Sequence, residues 1–321
     1  MIDADEKQFS HAQSVKFDSD QLNTVSRYFP DEDYAYDSFA SGRLWASNVT
    51  DFNDPFDVLP ACGNVARQIT DQQRKIHFAF TSPRGPSWKE YHKHAQSETG
   101  LVERELTELG PHLIKASFTN KNAVVCFSAE PDNIVMWTHY ASKHQGFVLQ
   151  FDVSHRFFSG PFFRKVDYRD TRARPRADDP DRHRTVCTKG ISWKDEGEFR
   201  LILPRQSLLK DKRLDGKLWH YVDLPTEAIK AVYFGCRMLP VRREQLLKIL
   251  QQSKHKDILP FQMFPDTSDY RLVPESWSES VRERSDFVFK LECVAKEALN
   301  SPDTQTLFDA TLEVLEKRFQ R

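Results

Sequence analysis

Two glutamates one residue apart, Glu196 and Glu198, open the strand-like run EFRLIL within TKGISWKDEGEFRLIL, residues 188–203. In an extended chain, residues two apart face the same side, so both carboxylates are expected to project toward one point. Like charges held together repel, so such a pair costs energy unless something uses it. Arg200, two residues further on, is a cation that can neutralise Glu198. With it the pair reduces to a solvated, ion-paired strand edge of little energetic weight. The alternative is a pair put to chemical use, which only other parts of the chain can decide.

Two other stretches are dense in polar groups. In FNDPFD, residues 52–57, the side chains of Asn53, Asp54 and Asp57 are suited to Asx turns. As metal ligands, Asp54 and Asp57 would need further oxygen donors that the local sequence does not supply. In CFSAEPDNIVMWTHYASKHQGFVLQFD, residues 126–152, a strand is expected to end at Ser128, and Met136, Trp137 and Tyr140 then follow at helical spacing. Trp137 and Tyr140 fit a core or a cavity wall before a cofactor stack. His139 and His144 are five apart, off the spacing of a helical zinc pair, and no H-E-x-x-H occurs. The chain has neither a G-x-S-x-G elbow nor a G-x-G-x-x-G or P-loop motif, so acyl transfer and the commonest nucleotide loops have no support.

Residues 164–184 hold eight Arg or Lys and five Asp. A solvated loop is the default expectation, and arginine forks there also match the geometry of phosphate.

The elements that must position these groups read as α+β. A short helix over 33–41 is stopped by Gly42, and the strand RLWAS follows. A helical insertion occupies about 64–119, with an interruption at Gly110-Pro111. Strands follow at AVVCF, GFVLQFDV, EFRLIL, AIKAVYFGC, PFQMF and DYRLV, with an amphipathic helix over 241–252. The expected organisation is a split, mostly antiparallel sheet core over residues 1–275, followed by a C-terminal helical extension, 276–321. That extension carries an apolar stripe from Leu307 to Phe319, suited to docking on the core, to a second copy or to a partner.

The chain has 321 residues, enough for a sizeable core, and a formal net charge of -1, which excludes an extended nucleic-acid-coating surface but not a local patch. No membrane-length apolar run and no leader pattern occur, and five scattered cysteines without C-x-x-C spacing indicate reduced thiols. A cytoplasmic protein is expected.

LWASNVTDFNDPFD, the 126–152 block, KGISWKDEGEFRLI and AIKAVYFGCRM, in this order, resemble an uncharacterised bacterial family of the domain-of-unknown-function class, over roughly residues 25–275. More distantly, an early Arg ahead of a short helix, a Ser at a strand end and a late E-x-E resemble the R-S-E pattern of the ADP-ribosyltransferase fold. That resemblance implies NAD as substrate. Arg27 would hold a phosphate or ribose, with Ser128 at the nicotinamide ribose and Tyr140 in the same cofactor-binding set. Glu198 would be the catalytic carboxylate and Glu196 would face the acceptor. Trp193, Arg172 and Arg174 would contact a protein or nucleic-acid acceptor, in a toxin or antiviral-defence setting. A Mg²⁺-dependent nuclease using Asp54, Asp57, Glu196 and Glu198, and a non-catalytic partner-binding module, are the alternatives.

Overall fold

The computed structural model describes residues 22–61, 99–160, 162–174, 183–212 and 218–298, with isolated positions between 309 and 316. The expected helical insertion lies outside the described residues as far as 98, as does most of the apolar stripe beyond 299.

The chain is α+β. In order, the described elements are β1 (Thr24–Phe29), α1 (Asp33–Ser41), β2 (Arg43–Ala46), α2 (Thr99–Lys121), β3 (Asn122–Ser128), α3 (Ile134–Tyr140), β4 (Phe147–Asp152) and β5 (Phe163–Lys165). They continue with β6 (Asp167–Arg169), β7 (Thr188–Gly190), β8 (Glu198–Pro204), β9 (Leu209–Lys212), β10 (Leu218–Asp223), β11 (Ile229–Phe234), α4 (Pro240–Leu250), β12 (Leu259–Pro265), β13 (Leu272–Ser276) and α5 (Glu279–Ala298). Two compact units share this chain. One comprises residues 45–126 and 160–222; the other comprises 19–44, 127–159 and 223 onward.

In the second unit, strands run in the order β13-β12-β11-β4-β1, and β1 meets the end of β3 at Ser26 and Ser128. Their pairings are antiparallel except for β11 with β12. Central β4 is buried on both faces, which is why FVLQF reads as a near-continuous apolar run. Phe147 stacks on Phe29 and meets Tyr36 and Phe39 of α1. Val148 belongs to the cluster around Trp137 of α3, whose indole N–H donates to the Pro131 carbonyl at 2.8 Å. Gly42, at φ 75°, ends α1, and its N–H returns to Phe39 O, as its left-handed conformation allows.

In the first unit, β8 lies between β3 and β5, β6 pairs with β7 in parallel, and β2, β10 and β9 form a small sheet. Val49, Val58, Val124, Val186 and Ile202 make its core. The expected solvated loop at 164–184 is therefore partly strand. Phe163 and Val166 are buried, and that apolar anchorage draws the basic residues between and beyond them into β5 and β6. Helix α2 continues through Gly110-Pro111 rather than breaking there. Arg205 holds its C-terminal end, donating to the Thr119 and Asn122 carbonyls, where a cation meets the negative end of the helix dipole. Among the described residues no helix is long and apolar enough to cross a membrane.

The turn between α3 and β4 places Ser142, Lys143 and His144 at φ 49°, 56° and 71° and packs directly on Gly235. A Cβ at Gly235 would lie 2.1 Å from the His144 carbonyl oxygen. Gly235→Ala is expected to destabilise the protein by ~3 kcal/mol or more, measured by urea unfolding, because both clashing groups are backbone.

Candidate functional site

The candidate site lies within the first unit, where β7, β8 and the FNDPFD loop converge. Arg200, fully buried on β8, is its centre. Its guanidinium makes two forks. Nε and Nη2 donate to the two oxygens of Glu198 at 2.7 and 2.8 Å, and Nη1 and Nη2 donate to those of Asp57 at 2.8 and 2.6 Å. Nη1 also reaches the Val186 carbonyl at 2.6 Å. Phe52 places its ring 5.1 Å from the guanidinium carbon.

Lys189, buried on β7, is the second cation. Its ammonium pairs with Glu196, lies 3.4 Å from Glu198 and 3.8 Å from Asp57, and sits 4.7 Å from the centre of the Trp193 ring. Five charges thus meet almost without water: three carboxylates, none more than 4 % exposed, and two cations. Pairing and hydrogen bonding offset the high cost of removing these ions from water.

Within the FNDPFD loop the two aspartates have different roles. Asp54 accepts the Phe56 N–H on its side chain at 2.9 Å, making the expected Asx turn. Asp57 does not cap a turn; it takes the Arg200 fork, and Lys115 of α2 donates to its carbonyl at 2.8 Å. Val58 follows at φ 53°, a left-handed conformation rare for a β-branched residue, which costs on the order of 1–3 kcal/mol and is held by complete burial.

Burial by itself would raise the Glu198 pKa, but the charge and hydrogen bonds of Arg200, with Lys189 and the Cys126 thiol, hold it down at about 2. Burial likewise works against charge on Lys189, and Glu198, Glu196 and Asp57 together overcome it and raise its pKa. Glu198 is therefore an anion and Lys189 a cation throughout the physiological range. The Glu198 N–H donates to the Tyr168 hydroxyl oxygen at 2.8 Å, fixing the start of β8.

The two glutamates do not share a strand. Glu196 ends a 3₁₀ turn, Ile191–Glu196, and Gly197 at φ 54° reverses the chain before Glu198 begins β8. Lys189, not the period of a strand, brings the carboxylates together. The Arg200 that would neutralise an edge pair does so here in the interior.

The other expected residues have different settings. Trp193 lies in the site, over Lys189, and Arg172 stands 6.0 Å over the exposed ring of Phe56, with Arg174 exposed nearby in sequence. Arg27, Ser128 and Tyr140 belong to the second unit. Arg27 is on β1 with its guanidinium carbon 5.6 Å over Phe29. Ser26, not Arg27, lies opposite Ser128, so the side chains of Arg27 and Ser128 leave opposite faces of that sheet. The structure does not bring these two together. Tyr140 packs half-buried against the Trp137 cluster.

Asp54 is occupied in its turn, and the positions a divalent cation would take between Asp57, Glu196 and Glu198 are filled by Lys189 and Arg200. Among the described residues no group of three or more acidic, His or Cys side chains is arranged to hold a metal ion. Sequence reasoning missed Lys189, Tyr168 and the pairing of Asp57. A lysine between a threonine and a glycine carries no mark of burial, and Asp57 is 143 positions from Arg200.

The chain matches no protein-family model, no curated protein and no solved structure.

Replacing Arg200 by Met should cost ~3–5 kcal/mol in chemical unfolding, because Asp57 and Glu198 would stay buried without their cation. The Glu198 carboxyl titrates lower in the folded chain than in the unfolded one. Its stabilisation should thus be complete above about pH 4.5 and fall away as the pH drops toward 2. Acid unfolding of Glu198→Gln should lack that component.

Proposed function

We propose that the first unit catalyses NAD-dependent ADP-ribosyl transfer, with Glu198 as the carboxylate that meets the developing cation. The observation that supports this reading is the state of Glu198: ionised, with both oxygens oriented by a rigid guanidinium in a site almost free of water. Breaking the bond between nicotinamide and ribose sends the electron pair out with nicotinamide and leaves an oxocarbenium-like sugar. A fixed anion in low dielectric stabilises that charge more than water does and needs no reorganisation as it forms. A nucleophile on the acceptor would then attack the anomeric carbon, its proton passing to Glu196. The strained Val58 beside Asp57 also supports an active centre, since backbone strain gathers where a site demands it. Trp193, over Lys189, would face the acceptor.

One observation favours a second reading. Both oxygens of Glu198 already accept hydrogen bonds from within the cluster, as they would in a structural clasp inside a non-catalytic binding module. The readings separate in one experiment. Purified protein and its Glu198→Gln variant are incubated with labelled NAD and cell lysate, with and without EDTA, and free nicotinamide and labelled macromolecules are measured. Transfer chemistry predicts turnover by the wild type that EDTA leaves unchanged and that falls by about 10²-fold or more in a folded Glu198→Gln variant. EDTA-sensitive degradation of nucleic acid would replace this reading with metal-dependent hydrolysis. A clasp predicts no turnover by either protein and a variant altered in stability alone.

A further inference from the structure

Phe56 stands apart from the buried chemistry beside it. It is 62 % exposed, although its neighbour Asp57 is 1 % exposed and Asp54, two residues before, is 3 % exposed. Exposure here does not come from a loose loop. The Phe56 N–H is held by Asp54, the Asp57 N–H returns to the Asp54 carbonyl at 3.1 Å, and the Leu59 N–H to the Phe56 carbonyl at 3.1 Å. Asp57 is clamped by Arg200 on one side of the ring's attachment and Asp54 by its turn on the other. A large apolar ring is thus fixed in water by anchored backbone, so little conformational entropy remains to be lost when something covers it.

Charge stands over the same ring. Arg172 holds its guanidinium carbon 6.0 Å from the ring centre. The segment carrying it is tied to the Phe56 loop, because the Ala61 N–H donates to the Ala173 carbonyl at 2.8 Å. Arg172 and Arg174 flank Ala173, and both are exposed. An aromatic face with guanidinium groups beside it has a defined complement: a planar ring to stack and an anionic group to take the forks. Nucleotides combine both, and stacking of a base on an exposed aromatic ring is a sequence-tolerant way of holding them.

We infer that Phe56, with Arg172 and Arg174, forms a nucleotide-binding platform in which the base stacks on Phe56 and the phosphates meet the two arginines. Taken with the proposed transfer reaction, on which this assignment to NAD rests, the platform holds the adenylate half of NAD. Phe56 lies one residue from Asp57 and so is joined directly to the charged cluster.

Titration calorimetry with ADP-ribose and with AMP tests the platform without requiring bond cleavage. The wild type should bind both ligands, Phe56→Ala should bind each on the order of tenfold more weakly, and Phe56→Trp should retain affinity. Arg172→Glu with Arg174→Glu should weaken binding and flatten its dependence on salt. Glu198→Gln should keep ADP-ribose binding while losing release of nicotinamide. Unchanged affinity in Phe56→Ala, or no binding of either ligand by the wild type, overturns the platform. If instead the wild type binds ADP-ribose through Phe56 yet releases no nicotinamide from NAD, the transfer reaction falls and the nucleotide platform stands.

Discussion

A single guanidinium organises the first unit. Arg200 is fully buried, and it is tolerable there only because two carboxylates, a carbonyl oxygen and an aromatic face surround it. The partners come from three pieces of chain: Glu198 from its own strand, Val186 from the stretch before β7, and Asp57 and Phe52 from FNDPFD. Lysine could not replace it, since one ammonium has no planar fork to give to two carboxylates at once. The placement of the FNDPFD loop, the register of Glu198 and the orientation of its oxygens all follow from satisfying this one cation.

Lys189 extends the same logic by drawing in Glu196. Three carboxylates against two cations leave these five residues with a formal charge of −1, and the geometry keeps that negative charge on oriented oxygens. A cluster of this kind fits both a catalytic electrostatic centre and a structural clasp. The two differ in what happens when one oxygen becomes an amide: chemistry is lost in one and folding energy in the other.

Much of the architecture was legible in the sequence because its cause is local. Gly42 ends α1 where a left-handed residue is needed, and the apolar runs at 123–127, 147–151 and 229–234 form strands. What the sequence does not reveal has a non-local cause. Charged residues at 164–169 join strands because Phe163 and Val166 find an interior to enter. The E-x-E spacing implies one shared strand face, whereas Gly197 turns the chain between the two glutamates. Asp57 looked like a turn former because its partner is far along the chain, and no spacing rule reaches across 143 residues. The R-S-E resemblance groups Arg27 with Ser128, and a one-residue step in strand register puts their side chains on opposite sheet faces.

That separation also has a temporal meaning. During synthesis at roughly 5–20 residues per second, Asp57 leaves the ribosome on the order of ten seconds before Arg200. Until then the FNDPFD loop has an anion with no guanidinium to receive it, and the valine that follows has nothing to enforce its left-handed backbone. The centre of the first unit is therefore assembled late, by closure of a long loop, and a nascent chain stopped short of β8 would contain the signature loop without its structure.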